Sequence, residues 1–180
     1  MIRLRNLAVL LAIAICSTFV CSQQDKSKRP SPPGSAECKF ADGKTVHIDY
    51  SRPFVKGRKI YGGLVPYDEV WRTGANEATT FATNTNLDVG GAKVPAGNHT
   101  LFTIPSQKQW TLIISKRTGE WGIPYPGQSE DLARVQMRSQ ELSGPVEQFT
   151  ISFERTSAEA CTLRLDWETT RAEVSVREQK

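Results

Sequence analysis

The chain has 180 residues, of which 38% are hydrophobic and 23% charged, and its formal net charge is +4. Two of its 23 basic residues, Arg3 and Arg5, lie in an N-terminal apolar segment, which leaves 21 basic against 19 acidic residues for the rest. This near balance excludes the basic surface that nucleic-acid-binding proteins carry.

The first 22 residues have the pattern of a secretory signal peptide. The two arginines precede an apolar run from Leu7 to Val20, and small residues follow. As a helix this run would rise about 21 Å, which is too short for a hydrocarbon core of about 30 Å. We expect cleavage after Ser22, a periplasmic or secreted protein, and no membrane span after cleavage. A lipid-anchored envelope protein, acylated at Cys16 or Cys21, is the alternative.

A polar segment separates the signal peptide from the remaining chain. Residues 23–35 are rich in Pro, Ser and Lys, so they bury too little apolar surface to fold alone and are predicted to be a disordered linker. We call residues 23–35 the tether. Residues 36–180 suit one domain with one hydrophobic core. Cys38 and Cys161 remain in this domain, and in an exported chain such a pair predicts a disulfide. Two buried free thiols are the alternative.

Alternating apolar residues recur along the predicted domain and indicate about nine or ten β-strands. Asp42-Gly43 and Gly90-Gly91 mark two hairpins, and we expect a type I′ turn at Asp42-Gly43. Late in the chain four separate strands are indicated, over 132–142, 149–155, 161–168 and 172–177. No long segment has a helical period. The pattern predicts an all-β fold, a single antiparallel β-sandwich, with a partly closed barrel as the alternative.

Two long stretches, Ser51–Asn76 and Lys116–Asp131, break the strand pattern. Loops of this length in a compact domain are usually functional or mobile. The first leads into "WRTGANE", where Arg72 is suited to carboxylate, phosphate or backbone carbonyls, and Trp71 offers an apolar wall. We expect this segment to be ordered, with a strand starting near Glu77.

The same residues fit two interpretations. One is a site for a small polar ligand, built from Arg72, Asn76 and Glu77 beside Trp71. The other is an internal clamp, in which these side chains satisfy the loop and Glu77 pairs with Arg72 or Arg58, with Arg52 nearby.

The second stretch adds two aromatic residues, Trp121 and Tyr125, among Gly and Pro. On a loop they would stack on a sugar or a peptide. The alternative is a hydrophobic plug over one end of the sandwich.

The sequence holds no complete catalytic, phosphate-loop or metal motif. His47 and Asp49 share a strand face, but zinc needs three or four ligands at set spacings, which are absent. We therefore predict no catalytic residue, no metal and no cofactor. A non-catalytic ligand-binding or envelope-associated module is favoured, with an unknown small polar ligand, a sugar or a peptide as partner. The alternative is a hydrolase of a cell-envelope or extracellular substrate that uses Glu77 or Asp49.

"DYSRPFVKGRKIYGGLVPYDEVWRTGANEATTF", together with "KVPAGNHTLFTIP", "WTLIISK" and the closing "FTISFE" and "LRLDWE", resembles a bacterial family known only as domain of unknown function 2911. The likeness covers roughly residues 46–176. It implies export and brings no activity. His99 stands where relatives usually have an aromatic residue, which weakens a catalytic role for it, and the cysteine pair looks peculiar to this member. The family's signature words fall on Arg52, Lys56, Gly57, Arg58, Trp71, Arg72, Asn76 and Glu77.

Overall fold

A computed structural model describes residues 25–179, so the predicted signal peptide and the first two residues of the tether lie outside the described residues. Within the described part of the chain, no helix is long and apolar enough to span a membrane. In residues 25–179, two short 3-10 helices, Lys26–Lys28 and Gln128–Glu130, accompany nine strands. The strands are β1 (Pro33–Lys39), β2 (Thr45–Ser51), β3 (Thr79–Thr83), β4 (Leu87–Val89), β5 (Ala92–Val94), β6 (Gly97–Ile104), β7 (Trp110–Ser115), β8 (Asp131–Arg155) and β9 (Ala160–Glu178).

All nine strands belong to one antiparallel sheet with the order β1-β2-β3-β6-β7-β8-β9-β4-β5, which confirms the predicted all-β fold and strand number. The sheet folds over on itself. Cys38 in β1 lies at disulfide distance from Cys161 in β9, with 6.4 Å between the Cα atoms. The hydroxyl of Tyr50 in β2 accepts a hydrogen bond of 2.8 Å from the amide of Ile151 in β8. Strands that are far apart in the order thus face each other across the core.

The four late strands predicted from the sequence are two long ones. β8 pairs with β7 through residues 131–137 and with β9 through 138–155. Its pairing with β9 continues past the break in alternation at 143–145, with register shifts between Glu141 and Val146 and between Val146 and Thr150. The prediction split β8 because bulges interrupt the apolar alternation without ending the strand.

The first hairpin turn differs from the prediction. Gly43 has a φ of 90°, whereas Asp42 is not left-handed, so a type I′ turn does not form there. Both residues of Gly90-Gly91 have positive φ, 56° and 90°, and the two-residue loop between β4 and β5 has the backbone that a type I′ hairpin needs.

Aromatic side chains fill the core beneath the loop between β2 and β3, residues 52–78, which we call the first loop. Tyr61 lies 4.9 Å from Trp110, and Trp71 is stacked on Trp167 at 5.8 Å between ring centroids. Phe149 packs on Trp71 at 5.0 Å. Large aromatic surfaces contribute most of the burial energy of a core, so the first loop is anchored by Tyr61 and by Trp71, which is partly buried.

Part of the tether contacts the domain, although none of its residues from 25 to 35 is buried. β1 begins at Pro33, which pairs with Ser51 of β2, so the folded part starts before the predicted boundary at residue 36. The guanidinium of Arg29 pairs with the carboxylate of Glu77 at 2.7 Å. Composition did not indicate this order because it is supplied by backbone pairing and by a distant carboxylate.

Candidate ligand-binding site

The first loop and the loop between β7 and β8, residues 116–130, which we call the second loop, pack directly on each other. Gly122 has a φ of 86°, and a Cβ atom there would lie 2.9 Å from the Cβ atoms of both Ala78 and Arg72. The amide of Ala78 donates to the carbonyl of Glu120 at 3.1 Å. Glycine therefore permits the close approach that joins the two loops.

A cavity of about 310 Å³ opens where the loops meet. Trp71 and the fully buried Trp167 form its aromatic wall. Leu64 and Ile123, which are 47% and 67% exposed, lie at its edge. This volume is at the small end of the range for small-molecule sites. The cavity is lined by Ser31, Pro53, Arg58, Leu64, Val65, Val70, Trp71, Arg72, Gly74, Ala75, Ile123 and Trp167.

Arg72 lines the cavity, and the second loop holds its side chain in place. Its guanidinium lies 5.5 Å from the ring centroid of Trp121, and its Nη1 donates to the carbonyl of Trp121 at 3.3 Å. Burial lowers the pKa of Arg72, and the more distant Glu77 only partly opposes this. Among residues 25–179, no carboxylate forms an ion pair with Arg72.

Arg58, the second cation, is held by its own loop. Its Nε donates to the carbonyl of Val55 at 3.0 Å, and its Nη2 donates to the carbonyl of Phe54. Two arginines thus line the cavity, and none of the described residues that line it is Asp or Glu.

Internal hydrogen bonds fix the backbone that presents Arg72. The indole of Trp71 donates to the carbonyl of Gly74 at 3.0 Å. Thr73 is fully buried with a φ of 55°, which is unusual for a β-branched residue. Its carbonyl accepts from the hydroxyl of Thr79 at 2.7 Å. Such strain persists only where the surroundings determine it, so this part of the loop is built to one shape.

Asn76 and Glu77 turn toward the N-terminal segment instead. The amide group of Asn76 donates to the carbonyl of Ser31 and to the hydroxyl of Ser51, both at 3.1 Å. Glu77 pairs with Arg29 at 2.7 Å and with Lys26 at 3.2 Å. The predicted pairing of Glu77 with Arg72 or Arg58 is therefore wrong, because the tether supplies the partners.

Hydrogen bonds give Glu77 an unusual acidity. Partial burial raises its pKa, but bonds from its own amide, Arg29 and Lys26 outweigh burial and bring the pKa to about 2. Glu77 is therefore ionised throughout the neutral range.

Three other predicted site residues do not line the cavity. Arg52 donates to the carbonyl of Phe149 and to the hydroxyl of Thr150, at 3.2 and 3.0 Å, and so ties the end of β2 to β8. Tyr125 packs on Phe102 at 5.2 Å, as a plug would. Trp121 is 53% exposed and reaches the cavity only through Arg72.

A second cavity, of about 360 Å³, is lined by Glu77. Asp49 and Glu77, the two acids of the hydrolase alternative, both line it, together with Lys26. A general acid in glycoside hydrolysis needs a raised pKa, whereas the pKa of Glu77 is lowered to about 2.

Neither His47 nor His99 lines the cavity that contains Arg58 and Arg72. His47 is close to Asp49, with 3.1 Å between Nε2 and Oδ1, and its Nδ1 is 3.9 Å from a carboxylate oxygen of Glu37. His99 contacts the carbonyl of Pro95 at 3.0 Å. In the described residues, no group of three or more His, Cys, Asp or Glu side chains is arranged to hold a metal ion.

The family model of DUF2911, described as a protein of unknown function, matches residues 31–176. The chain belongs to this family. The match includes every residue that lines the cavity, from Ser31 to Trp167. No curated protein and no solved structure matches the chain.

Several cavity residues were not singled out in the sequence. Leu64 and Ile123 are apolar residues within the two long loops, and this alone could have marked them. Trp167 carries no such signal, because its place in β9 fits a core residue equally well.

Proposed function

We propose that this protein is an exported, non-catalytic binding module that holds a small ligand in the cavity between its two long loops. The observation that carries the proposal is the composition of that cavity. An aromatic wall of Trp71 and Trp167 faces two arginines, Arg58 and Arg72, in a space of about 310 Å³. Concave, mostly apolar sites with a few oriented polar groups are the usual form of small-molecule sites.

The lining residues favour binding over catalysis. General acid–base catalysis needs a group that gains and loses a proton near the working pH, most often His, Asp, Glu, Lys, Tyr or Cys. None of the described residues that line this cavity is of those types. Arginine remains charged in proteins and orients an anion rather than transferring a proton.

Export rests on two features. The N-terminal pattern of the sequence is that of a signal peptide, and Cys38 and Cys161 lie at disulfide distance. Disulfides persist in oxidising compartments, among them the periplasm and the extracellular space. Cleavage after Ser22 would release the protein, whereas acylation at Cys16 or Cys21 would leave it lipid-anchored.

A cavity-filling variant tests the proposal. Ligands would be found for the mature chain, residues 23–180, by thermal shift, since a ligand raises the melting temperature through linkage. Ala75→Phe fills the cavity from a partly exposed position, and we expect it to abolish the shifts. Ala41→Phe, in the exposed turn between β1 and β2, should leave them unchanged. Ligands that bind the wild type and Ala75→Phe equally would contradict the proposed site.

One observation supports the hydrolase alternative: Asp49 and Glu77 both line the second cavity. It predicts turnover of a cell-envelope or extracellular substrate that disappears in Glu77→Gln while the fold survives. Incubation of wild type, Glu77→Gln and Asp49→Asn with envelope polysaccharide and peptide substrates measures this. Turnover lost in both variants would replace binding with catalysis as the function.

A further inference from the structure

We propose that the ligand of the cavity is a carboxylic acid with an apolar body, and that its carboxylate pairs with the Nε and Nη2 atoms of Arg72. This inference rests on the proposed binding function and adds the chemical class of the ligand.

One edge of the Arg72 guanidinium is unused. Its single hydrogen bond to the rest of residues 25–179 comes from Nη1, which leaves the N–H groups of Nε and Nη2 without a partner. These two groups point the same way and match the two oxygens of a carboxylate. Arg171 uses this same edge on Asp166, at 2.8 Å from Nε and 2.6 Å from Nη2. The Arg171–Asp166 pair is therefore an example, within this protein, of the carboxylate pairing that we propose for Arg72.

Arg72 is also positioned before any ligand arrives. The ring and the carbonyl of Trp121 hold its guanidinium, and the backbone of Gly122 passes so close to its Cβ that a side chain at position 122 would clash with it. A side chain that is already ordered loses little conformational entropy on binding. Burial lowers the pKa of Arg72, so the cation has lost part of its hydration, and an incoming carboxylate would compensate for that loss.

A monovalent carboxylate fits the available donors better than a phosphate group does. The Nε and Nη2 atoms of Arg58 are already bonded to the carbonyls of Val55 and Phe54. Among the described residues that line the cavity, the Nε–Nη2 edge is therefore used in Arg58 and free in Arg72. A phosphate group carries up to two charges and three acceptor oxygens, and it would leave more of them unsatisfied.

The apolar body follows from the other lining residues. The stacked pair Trp71 and Trp167 forms one wall, and apolar side chains complete the rest. In about 310 Å³ there is room for a single aromatic ring or a short branched chain beside the carboxylate. The remaining apolar lining consists of Pro53, Leu64, Val65, Val70, Ala75 and Ile123.

The test compares three probes that share a phenyl ring on a short alkyl chain and differ in the polar group, by calorimetry on the mature protein at pH 7. These are 3-phenylpropionate, its neutral amide 3-phenylpropionamide, and 3-phenylpropyl phosphate. We expect the carboxylate to bind at least about tenfold more tightly than the amide, since charge-assisted bidentate hydrogen bonds are stronger than neutral ones. Raising NaCl from 50 to 500 mM should lower the affinity for the carboxylate and leave the affinity for the amide unchanged.

Arg72→Gln should reduce the affinity for 3-phenylpropionate to that for the amide, while the affinity for the amide stays. Arg72→Lys should keep part of the preference, because it retains charge without the fork. Arg177→Gln, an exposed arginine of β9 outside the cavity, is the matched control and should bind as the wild type does.

Equal binding of carboxylate and amide by the wild type would overturn the ligand class and leave the binding function standing. So would tighter binding of the phosphate, or a carboxylate preference that survives in Arg72→Gln. Ligands from the thermal-shift screen that bind Ala75→Phe as tightly as the wild type would instead contradict the proposed location of the site. The wild-type comparison of probes needs no variant, so it decides even if Arg72→Gln fails to fold.

Discussion

Arg72 and Glu77 are five positions apart in one loop and serve different partners. Between them, Thr73 and Asn76 take left-handed φ values of 55° and 57°, which turn the chain so that Arg72 lies at one cavity and Glu77 at the other. The two interpretations of this segment thus apply to different residues. Asn76 and Glu77 have the bonds of a clamp, and Arg72 has the unpaired edge that a ligand site needs.

Glu77→Gln should destabilise the protein in a pH-dependent way. The folded pKa of about 2 is below the ordinary value of 4.5, so the stabilisation is fully present above about pH 4.5 and is lost as the pH falls toward 2. The side chain is 40% exposed, and solvent screening limits the effect to about 1 kcal/mol or less. Urea unfolding of wild type and variant at pH 7 and pH 2.5 measures it.

The matched control is Glu141→Gln, an exposed acid on β8, which should change the free energy of unfolding little at either pH. A loss in Glu77→Gln that is equal at pH 7 and pH 2.5 would show that the carboxylate charge is not what stabilises the fold.

The residue types of the site were predictable and their partners were not. A guanidinium beside a Trp predicted a group able to bind an anion, and Trp71 and Arg72 do lie at the cavity. The partner of Glu77 is Arg29, 48 residues away in a segment that composition assigns to a linker. Local pattern carries no information about a contact over that distance.

At the scale of elements, the site depends on how the two long loops meet. Neither loop forms the cavity alone, since Leu64, Trp71 and Arg72 come from the first and Ile123 from the second. Their contact is at Gly122, whose backbone passes against Ala78 and Arg72. We therefore expect this glycine to control both stability and ligand binding.

Gly122→Ala should lower the free energy of unfolding by about 2–4 kcal/mol, from a left-handed backbone and an overpacked contact at 2.9 Å. Gly119→Ala is the control in the same loop, because Gly119 also has a positive φ, 73°, but its Cβ would meet nothing within 4 Å. Urea unfolding of both variants separates backbone strain from the contact. Equal losses in the two would mean that the loops do not press together at Gly122.

The alternation of apolar residues predicted where strands occur, but it did not predict how long they are. The segments 132–142 and 149–155 both lie in β8, but the sequence between them alternates poorly because bulged residues need not face the core. The Gly-Gly hairpin was predictable for a different reason, since only a short loop with positive φ at both residues joins β4 to β5.

At the scale of the whole molecule, the sheet must fold back on itself to close the core. Cys38 and Cys161 join strands that are six positions apart in the order β1-β2-β3-β6-β7-β8-β9. The sequence predicted the pair from the cysteine count, but the strand order that brings the two together is a long-range property that alternation does not encode. The cavity depends on the same closure, because Trp167 of β9 contacts Trp71 of the first loop.

Reduction of the disulfide should therefore weaken the whole fold. The cross-link joins residues 123 positions apart, and the chain-entropy model gives a stabilisation of about 4–5 kcal/mol for a loop of this size. Urea unfolding with and without reductant should show a lower free energy of unfolding for the reduced protein, and a larger m-value as the unfolded chain expands.

Cys38→Ala/Cys161→Ala should lose somewhat more than reduction does, because both sulfurs are buried at 2% exposure and their removal also costs packing. Reduction keeps the sulfur atoms in place, so the difference between the two states isolates packing from the cross-link. Equal stability of the oxidised and reduced wild type would contradict this account. It would mean that packing alone holds β1 against β9. Rapid labelling of both cysteines in the protein isolated without reductant would do the same.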